Sequence, residues 1–265
     1  MELEIYQVDA FSTRPFSGNP AGVCITPQGL ETTTMQQIAA EMAVSETAFL
    51  ALDEYRLRWF TPEAEVDLCG HGTLATAHIL RQTGLLAVGE SVVFTTLSGP
   101  LKATAGPDTI ELDFPLLVPD MQYVPDEALL DALGLDASDV SACGKFGPKV
   151  MMVVEDAEII DALKPRFQAL SALPGRGVAI TAPGHGKYDF ISRYFAPWVG
   201  VNEDPVTGSA HCALAAYWAA RLDKRTLCAW QASPRGGELH IALTSAGRVA
   251  LAGQSHTVLA GTFYL

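Results

Sequence analysis

FTPEAEVDLCGHGTLATAHILRQTG, residues 60–84, is echoed in the second half of the chain by FAPWVGVNEDPVTGSAHCALAAYWAARL, residues 195–222. Each runs aromatic-x-Pro, then an acidic loop, then a glycine among small residues, then an Ala-rich helix. Neither helix shows a clean polar face over its first three turns, as Leu74, Ala75, Ala77, Ile79 and Leu80 show in one and Ala213–Trp218 in the other. A helix apolar nearly all round must be buried, as when a sheet wraps it. Two such units predict a duplicated protein of two similar domains. The Pro-rich FPLLVPDMQYVP, Phe114–Pro125, reads as the linker between them. The N-terminal half is expected over 1–114, completed by the last strand at 256–265, and the C-terminal half over 115–255.

Working outward, LEIYQVDAF alternates and breaks at PFSGNP, and AGVCI follows as a strand. Thr32–Met42 spaces Met35, Ile38, Ala39 and Met42 helically behind threonines that can cap it. VSETAFLAL and EYRLRWFTP read as strands, and the helix from Gly72 to Thr83 is ended by Gly84. SVVFTTLSG, LKATAG and TIELDFP are short strands at hairpin spacing. The second half repeats the rhythm, with helices at Asp126–Leu133 and in AEIIDAL, and strands in KVMMVVED, GVAITAP, DFISRYFAP, TLCAWQAS, ELHIAL, RVALAG and TVLAGTFYL. A doubly wound parallel sheet would place a helix after each strand, whereas these strands come in runs. The predicted class is α+β, with mostly antiparallel, barrel-like curled sheet around a central helix in each half.

The chain's 265 residues suffice for one to two domains at roughly 150 residues each. With 49% hydrophobic and 18% charged residues, disorder is not expected. No apolar run approaches the roughly 20 residues of a bilayer crossing, and the N-terminus lacks a basic signal-peptide start. A net charge of −13 without a local basic stripe argues against nucleic acid. An anionic ligand would therefore have to be captured locally. Five scattered cysteines, Cys24, Cys69, Cys143, Cys212 and Cys228, point away from a disulfide framework or a structural zinc cluster and toward a reducing cytoplasm.

Helix starts supply local capture, because their first N–H groups lack intrahelical acceptors and sit at the positive end of the dipole. Two such starts lie at Gly70-His71-Gly72-Thr73 and Thr207-Gly208-Ser209-Ala210. If they faced each other they would make an anion-seeking cleft. Glu46, among small and apolar neighbours, would have its pKa raised by burial, which suits proton transfer near neutrality. An exposed strand position is the alternative. His71 reads as a loop donor or proton carrier, or as a histidine satisfied by backbone. Asp204 sits in an acidic loop where it could instead cap a helix. His78 and His211 are assigned to packing or capping. Cys69, His71 and His78 do not form a ligand set at recognised spacing, so no metal is expected. Gly70-His71-Gly72 lacks the third glycine and the setting of a dinucleotide site, and neither a P-loop nor a Gly-x-Ser-x-Gly elbow occurs. Cofactor-free chemistry is the expectation.

Six segments, QVDAFSTRPFSGNPAGV, VSETAFL, RWFTPEAEVDLCGHGTLATAH, FTTLSGPL, DFISRYFAPWVGVNEDPVTGSAHCAL and QASPRGGELHI, span the chain from end to end. On these the chain resembles the phenazine-biosynthesis PhzF-like isomerases, within the diaminopimelate-epimerase-like superfamily. The resemblance implies two similar domains with the active site in the cleft between them, and a cofactor-independent proton shift by Glu46. It further implies that His71, Asp204 and Ser209 line the site, with Asn19, Gly70, Gly72, Thr73, Thr207 and Gly208 binding substrate. Analogy with relatives allows a homodimer.

The resulting expectation is a cytoplasmic isomerase acting on a small carboxylate-bearing metabolite, without nucleic acid or membrane partners. One alternative is a Cys69-dependent epimerase, since Cys69 stands where the wider superfamily places one of two facing thiols. The second loop, Asp204–Gly208, has no thiol, and Cys212 lies about a turn inside its helix. The other alternative is a non-catalytic carboxylate-binding homologue.

Overall fold

The structure is a computed structural model that describes residues 1–244 and 247–265. The chain divides into two compact units, residues 1–114 with 250–265, and residues 115–249. The first holds β1 (Glu2–Ala10), β2 (Asn19–Thr26), α1 (Thr32–Met42), β3 (Glu46–Ala51), β4 (Arg56–Phe60), β5 (Glu65–Val66), α2 (Gly70–Gln82), β6 (Ser91–Thr96), β7 (Gly99–Ala105) and β8 (Ile110–Pro115). The second holds α3 (Glu127–Leu133), β9 (Val140–Phe146), β10 (Lys149–Val154), α4 (Ala157–Ala162), α5 (Phe167–Ser171), β11 (Val178–Pro183), β12 (Phe190–Ala196), β13 (Val201–Glu203), α6 (Gly208–Leu222), β14 (Thr226–Gln231) and β15 (Gly237–Leu243). β16 (Arg248–Gly253) leads back, and β17 (Ser255–Tyr264) pairs antiparallel along the whole of β1.

The duplication read from two segments extends to six strand pairings in each unit. In the first unit β1/β2 is antiparallel, β2/β3 parallel, β3/β4 and β4/β5 antiparallel, β4/β6 parallel and β6/β7 antiparallel. The second unit repeats that order with β9/β10, β10/β11, β11/β12, β12/β13, β12/β14 and β14/β15. The parallel pairs are not legible in the strand pattern. They follow from the helices: α1 and α2 carry the chain across in the first unit, α4–α5 and α6 in the second, and a helical crossover returns the next strand in the same direction.

Details repeat as well. Phe60 pairs with Glu65 and Phe195 with Glu203. Two residues before each phenylalanine an arginine, Arg58 or Arg193, grips that glutamate through both carboxylate oxygens. The guanidinium of each lies over its phenylalanine ring, at 5.1 and 5.0 Å.

Each unit buries its central helix among its own strands. All of His71–Leu80 in α2 is buried, with Ala75 and Ile79 packed against Val8, Ala21 and Val23 of β1 and β2. α1 covers the opposite face, where Met35, Ile38 and Ala39 meet Leu3, Ile5, Cys24, Phe49 and Phe60. α1 spans the expected residues, but Glu31 stands at its N-cap and no side chain caps it. In the second unit Trp218 of α6 stacks on Phe190 of β12 and donates its indole N–H to Thr181 of β11. α3, α4 and α5 pack on the outer side. Among the described residues no helix is long and apolar enough to cross a membrane.

Candidate active site

The first unit concentrates its polar chemistry at the start of α2. Cys69 is the N-cap residue in extended conformation, and its Sγ accepts the Gly72 N–H at 3.3 Å. A thiol thus does the capping that Ser or Asp usually does. Gly72 allows this packing, because a Cβ there would lie 2.9 Å from Trp59 Cδ1 and 3.0 Å from Cys69 Sγ. Thr73 is fully buried and turns its hydroxyl onto the Cys69 carbonyl at 2.7 Å. His71 therefore lies inside the first helical turn, not in a loop, and its imidazole is buried.

Around that ring are the first residues of two neighbouring strands. β2 begins at Asn19 and β3 at Glu46, and they run parallel. His71 Nε2 lies 3.1 Å from Glu46 Oε2, and Nδ1 lies 3.2 Å from the Asn19 side-chain amide. Ser45 Oγ is within 3.2 Å of both Asn19 and His71 Nε2, and donates to the Pro20 carbonyl at 2.9 Å. A neutral ring protonated on Nε2 donates to Glu46 and accepts from the Asn19 amide nitrogen. A doubly protonated ring needs the Asn19 oxygen at Nδ1, an orientation Ser45 accommodates by accepting from the amide nitrogen, its own proton going to Pro20 or to Glu46.

The electrostatics correct one expectation from sequence. Burial alone would raise the Glu46 pKa, and burial is the largest single influence on it. The His71 charge and hydrogen bond, with a hydrogen bond from Ser45, outweigh burial, and the carboxyl is held below its usual range. For His71, burial opposes the charged form, while the Cys69 sulfur and the Glu46 carboxylate favour it, and its pKa stands well above the usual value. Burial keeps the Cys69 thiol up and protonated, so the Glu46 carboxylate is what charges the ring near neutrality. The resting pair is a carboxylate and an imidazolium. Glu46 remains the more open member, its side chain 20% exposed against 8% for His71.

The second unit presents a different set at the start of α6. Thr207 is the N-cap residue but donates its hydroxyl to Asp204 Oδ2 at 2.5 Å, leaving the helix without a side-chain cap. Buried Gln231 locks the same loop, accepting the Thr207 N–H and donating to the Asp204 carbonyl. Asp204 thus braces the loop before the helix. Ser209, in the first turn, accepts from Lys149 Nζ at 2.7 Å. Gly208 opens the helix, and the amides of Gly208, Ser209 and Ala210 precede the first intrahelical bond, from His211 to Thr207. His211 donates from Nδ1 to the Thr207 carbonyl, and burial pushes its pKa down to about 4, so it is neutral. His78, pushed to about 4 by burial and nearby cations, bonds Thr257.

Sequence reasoning does not single out Ser45 or Lys149. The one signal for Ser45 is its place next to Glu46 in the chain. Lys149 is 60 residues from its partner, and only the fold joins β10 to α6. The converse holds for Cys212, which is buried inside α6 with its thiol pushed up to about 12 by burial. Among the described residues two groups bring Cys, His and Glu ligand atoms within 4.8 Å of one another, Glu46–Cys69–His71 and Cys228–Glu238–His240. In the first, a cation would have to displace the proton bridging His71 and Glu46.

Comparison with known proteins agrees with this architecture. Residues 8–261 match the family model described as PhzC-PhzF, phenazine biosynthesis-like protein. A protein of Halalkalibacterium halodurans named an uncharacterized isomerase is 46% identical, over 98% of this chain and 97% of that protein. The crystal structure of a PhzF-family phenazine biosynthesis protein from Enterococcus faecalis superposes with a TM-score of 0.93 at 41% identity, covering 100% of both chains. A predicted epimerase from Pseudomonas aeruginosa, 22% identical with a TM-score of 0.78 over 99% of both chains, shares the fold. The chain belongs to the phenazine biosynthesis-like PhzF family, has its diaminopimelate-epimerase-like α+β fold, and is an isomerase by class.

Proposed function

We propose that this isomerase shifts a proton within a small carboxylate-bearing metabolite without a cofactor, with Glu46 as the base. The observation that carries the reading is the buried Glu46–His71 pair at 3.1 Å, set at the start of α2. Ionised Glu46 takes a proton from a substrate carbon and returns it at another position. As the carboxylate is neutralised, the negative charge passes to the substrate while the His71 imidazolium stays in place. A buried cation that loses its counter-ion stabilises the anion that replaces it, and this help is largest where charge develops. Ground-state pairing makes Glu46 a weaker base. That cost is offset when the developing anion takes over the contact with His71.

Asp204 and Ser209 are the polar groups proposed to orient the substrate from the second unit. The amides near Gly208, and those of Gly70 and His71 in the first unit, suit its carboxylate. Asn19 sets the His71 ring, Gly72 and Thr73 shape the start of α2, and Thr207 shapes the start of α6.

A Cys69-dependent epimerase is disfavoured by the thiol's own surroundings. Cys69 is buried, protonated and committed to capping Gly72, and Cys212 is buried within its helix.

The test is a screen of small unsaturated and amino carboxylates for deuterium wash-in from solvent, followed by Glu46→Gln on any substrate found. Loss of exchange with binding retained supports the base. Exchange at the wild-type rate overturns it, and a ligand that binds tightly without ever exchanging favours a binding protein.

A further inference from the structure

Away from both helix starts, the outer face of the β14/β15 hairpin gathers three side chains of metal-ligand type. Alternation puts Leu227, Ala229, Leu239 and Ile241 inward, all buried, and leaves Cys228, Glu238 and His240 on the other face. Cys228 and His240 are direct partners across the antiparallel ladder, and Glu238 is two residues before His240 on the same strand. Their ligand atoms all lie within 4.8 Å of one another, with His240 Nε2 3.1 Å from Glu238 Oε1.

Two ligands at i and i+2 with a third on the neighbouring strand form a tripod. Their donor atoms converge from one side and leave the opposite side open. A rigid two-strand ladder also lowers the ordering cost that a loop site would carry. One thiol, one imidazole and one carboxylate suit a borderline divalent ion. Calcium and magnesium favour sets built from oxygen. Thiolate and carboxylate together balance a double positive charge.

From this geometry we propose that the hairpin binds one Zn²⁺ ion through Cys228 Sγ, Glu238 Oε1 and His240 Nε2, with water completing a tetrahedron. On binding, the Cys228 thiol gives its proton to solvent and its sulfur lone pair to the metal. The surroundings already divide the carboxylate for this use. Lys187 Nζ and Tyr188 Oη both contact Glu238 Oε2, leaving Oε1 toward His240. Among the described residues Lys187 is the one competing cation at Glu238 apart from His240 itself, and its side chain is 63% exposed, free to swing away. Asp189 Oδ2 accepts the Cys228 backbone N–H at 2.8 Å and holds β14 where the thiol leaves it. His240 is 54% exposed, so its ring can turn to the ion without the hairpin opening. The 12-residue separation of Cys228 and His240 matches no recognised ligand spacing, which is why the sequence alone predicts no metal.

The proposal is independent of the Glu46 chemistry, and its experiment separates the two. Chelator-treated full-length protein is titrated with Co²⁺ as a spectroscopic probe and with Zn²⁺ by calorimetry. The expected result is one ion per chain with Kd of about 10 μM or tighter, and a near-ultraviolet thiolate-to-cobalt band with four-coordinate visible bands. Cys228→Ser should remove the thiolate band. His240→Ala and Glu238→Gln should each weaken Zn²⁺ by at least about 10-fold, and Lys187→Met should tighten it. Thermal midpoints unchanged from the wild type will show that the variants fold. A thiolate band that is absent, that survives Cys228→Ser, or that disappears in Cys69→Ser instead overturns the proposal. The last outcome would place the ion at Glu46–Cys69–His71.

Discussion

Replacing Glu46 by glutamine removes one charge from the buried pair and keeps its shape. At 3.1 Å and an effective dielectric near 20, the attraction in the wild type is about 5 kcal/mol. Desolvation takes back several kcal/mol for each buried ion, so the pair is held by a small difference between large terms. In the variant a charged His71 would keep the desolvation cost and lose the attraction, at about 3–5 kcal/mol. Losing its proton costs less. The neutral ring still donates from Nε2, now to the glutamine oxygen, for a net change of about 1 kcal/mol. The His71 pKa should therefore fall from well above its usual 6.5 to below it.

The pH dependence of stability changes with it. Glu46 contributes fully above its ordinary value of 4.5 and loses that contribution as pH falls through its lowered folded value. His71 contributes fully below 6.5 and loses that contribution as pH rises through its raised folded value. In the wild type both are complete between 4.5 and 6.5, and Glu46→Gln should flatten both shoulders. The assay is an NMR titration of the six histidines, with His71→Gln to assign the resonance, beside urea unfolding across pH. A wild-type His71 resonance titrating at or below the ordinary value, or one unmoved by Glu46→Gln, would refute the ion pair and the mechanism built on it.

Removal of a true general base should also lower turnover by about 100- to 10,000-fold, read as deuterium exchange at saturating substrate. Arg193→Ala should destabilise far more than Arg58→Ala in thermal unfolding. The Arg193–Glu203 pair is 11% exposed on both sides and Arg193 also serves the Ile160 and Leu163 carbonyls, so about 3–5 kcal/mol is expected against about 1. Gly72→Ala should cost about 1–3 kcal/mol, because its Cβ meets Trp59 and Cys69, with a matching drop in midpoint. Cys69→Ser should keep most activity, since a hydroxyl can take over the cap; complete loss in a folded variant would revive the thiol mechanism.

Much of this protein is legible in its order of residues. The paired segments at 60–84 and 195–222 identify the two buried helices, because burial on all sides leaves no polar stripe to conceal. The same segments locate both helix starts, since glycine, small residues and a cap are needed wherever a chain turns into a packed helix. The motifs also name Glu46, His71, Asp204 and Ser209, through resemblance and not through periodicity. What the sequence could not decide is which groups meet. The parallel neighbours β2/β3 put Asn19, Ser45 and Glu46 beside His71, and the His71 charge at Glu46 turned the expected raised Glu46 pKa into a lowered one. The same is true of Lys149 on Ser209 and of Cys228 opposite His240. Local pattern records how each residue is buried along its own element. Charge, proton affinity and ligand geometry depend on the nearest atoms of other elements, and strand register and helical crossover alone choose those.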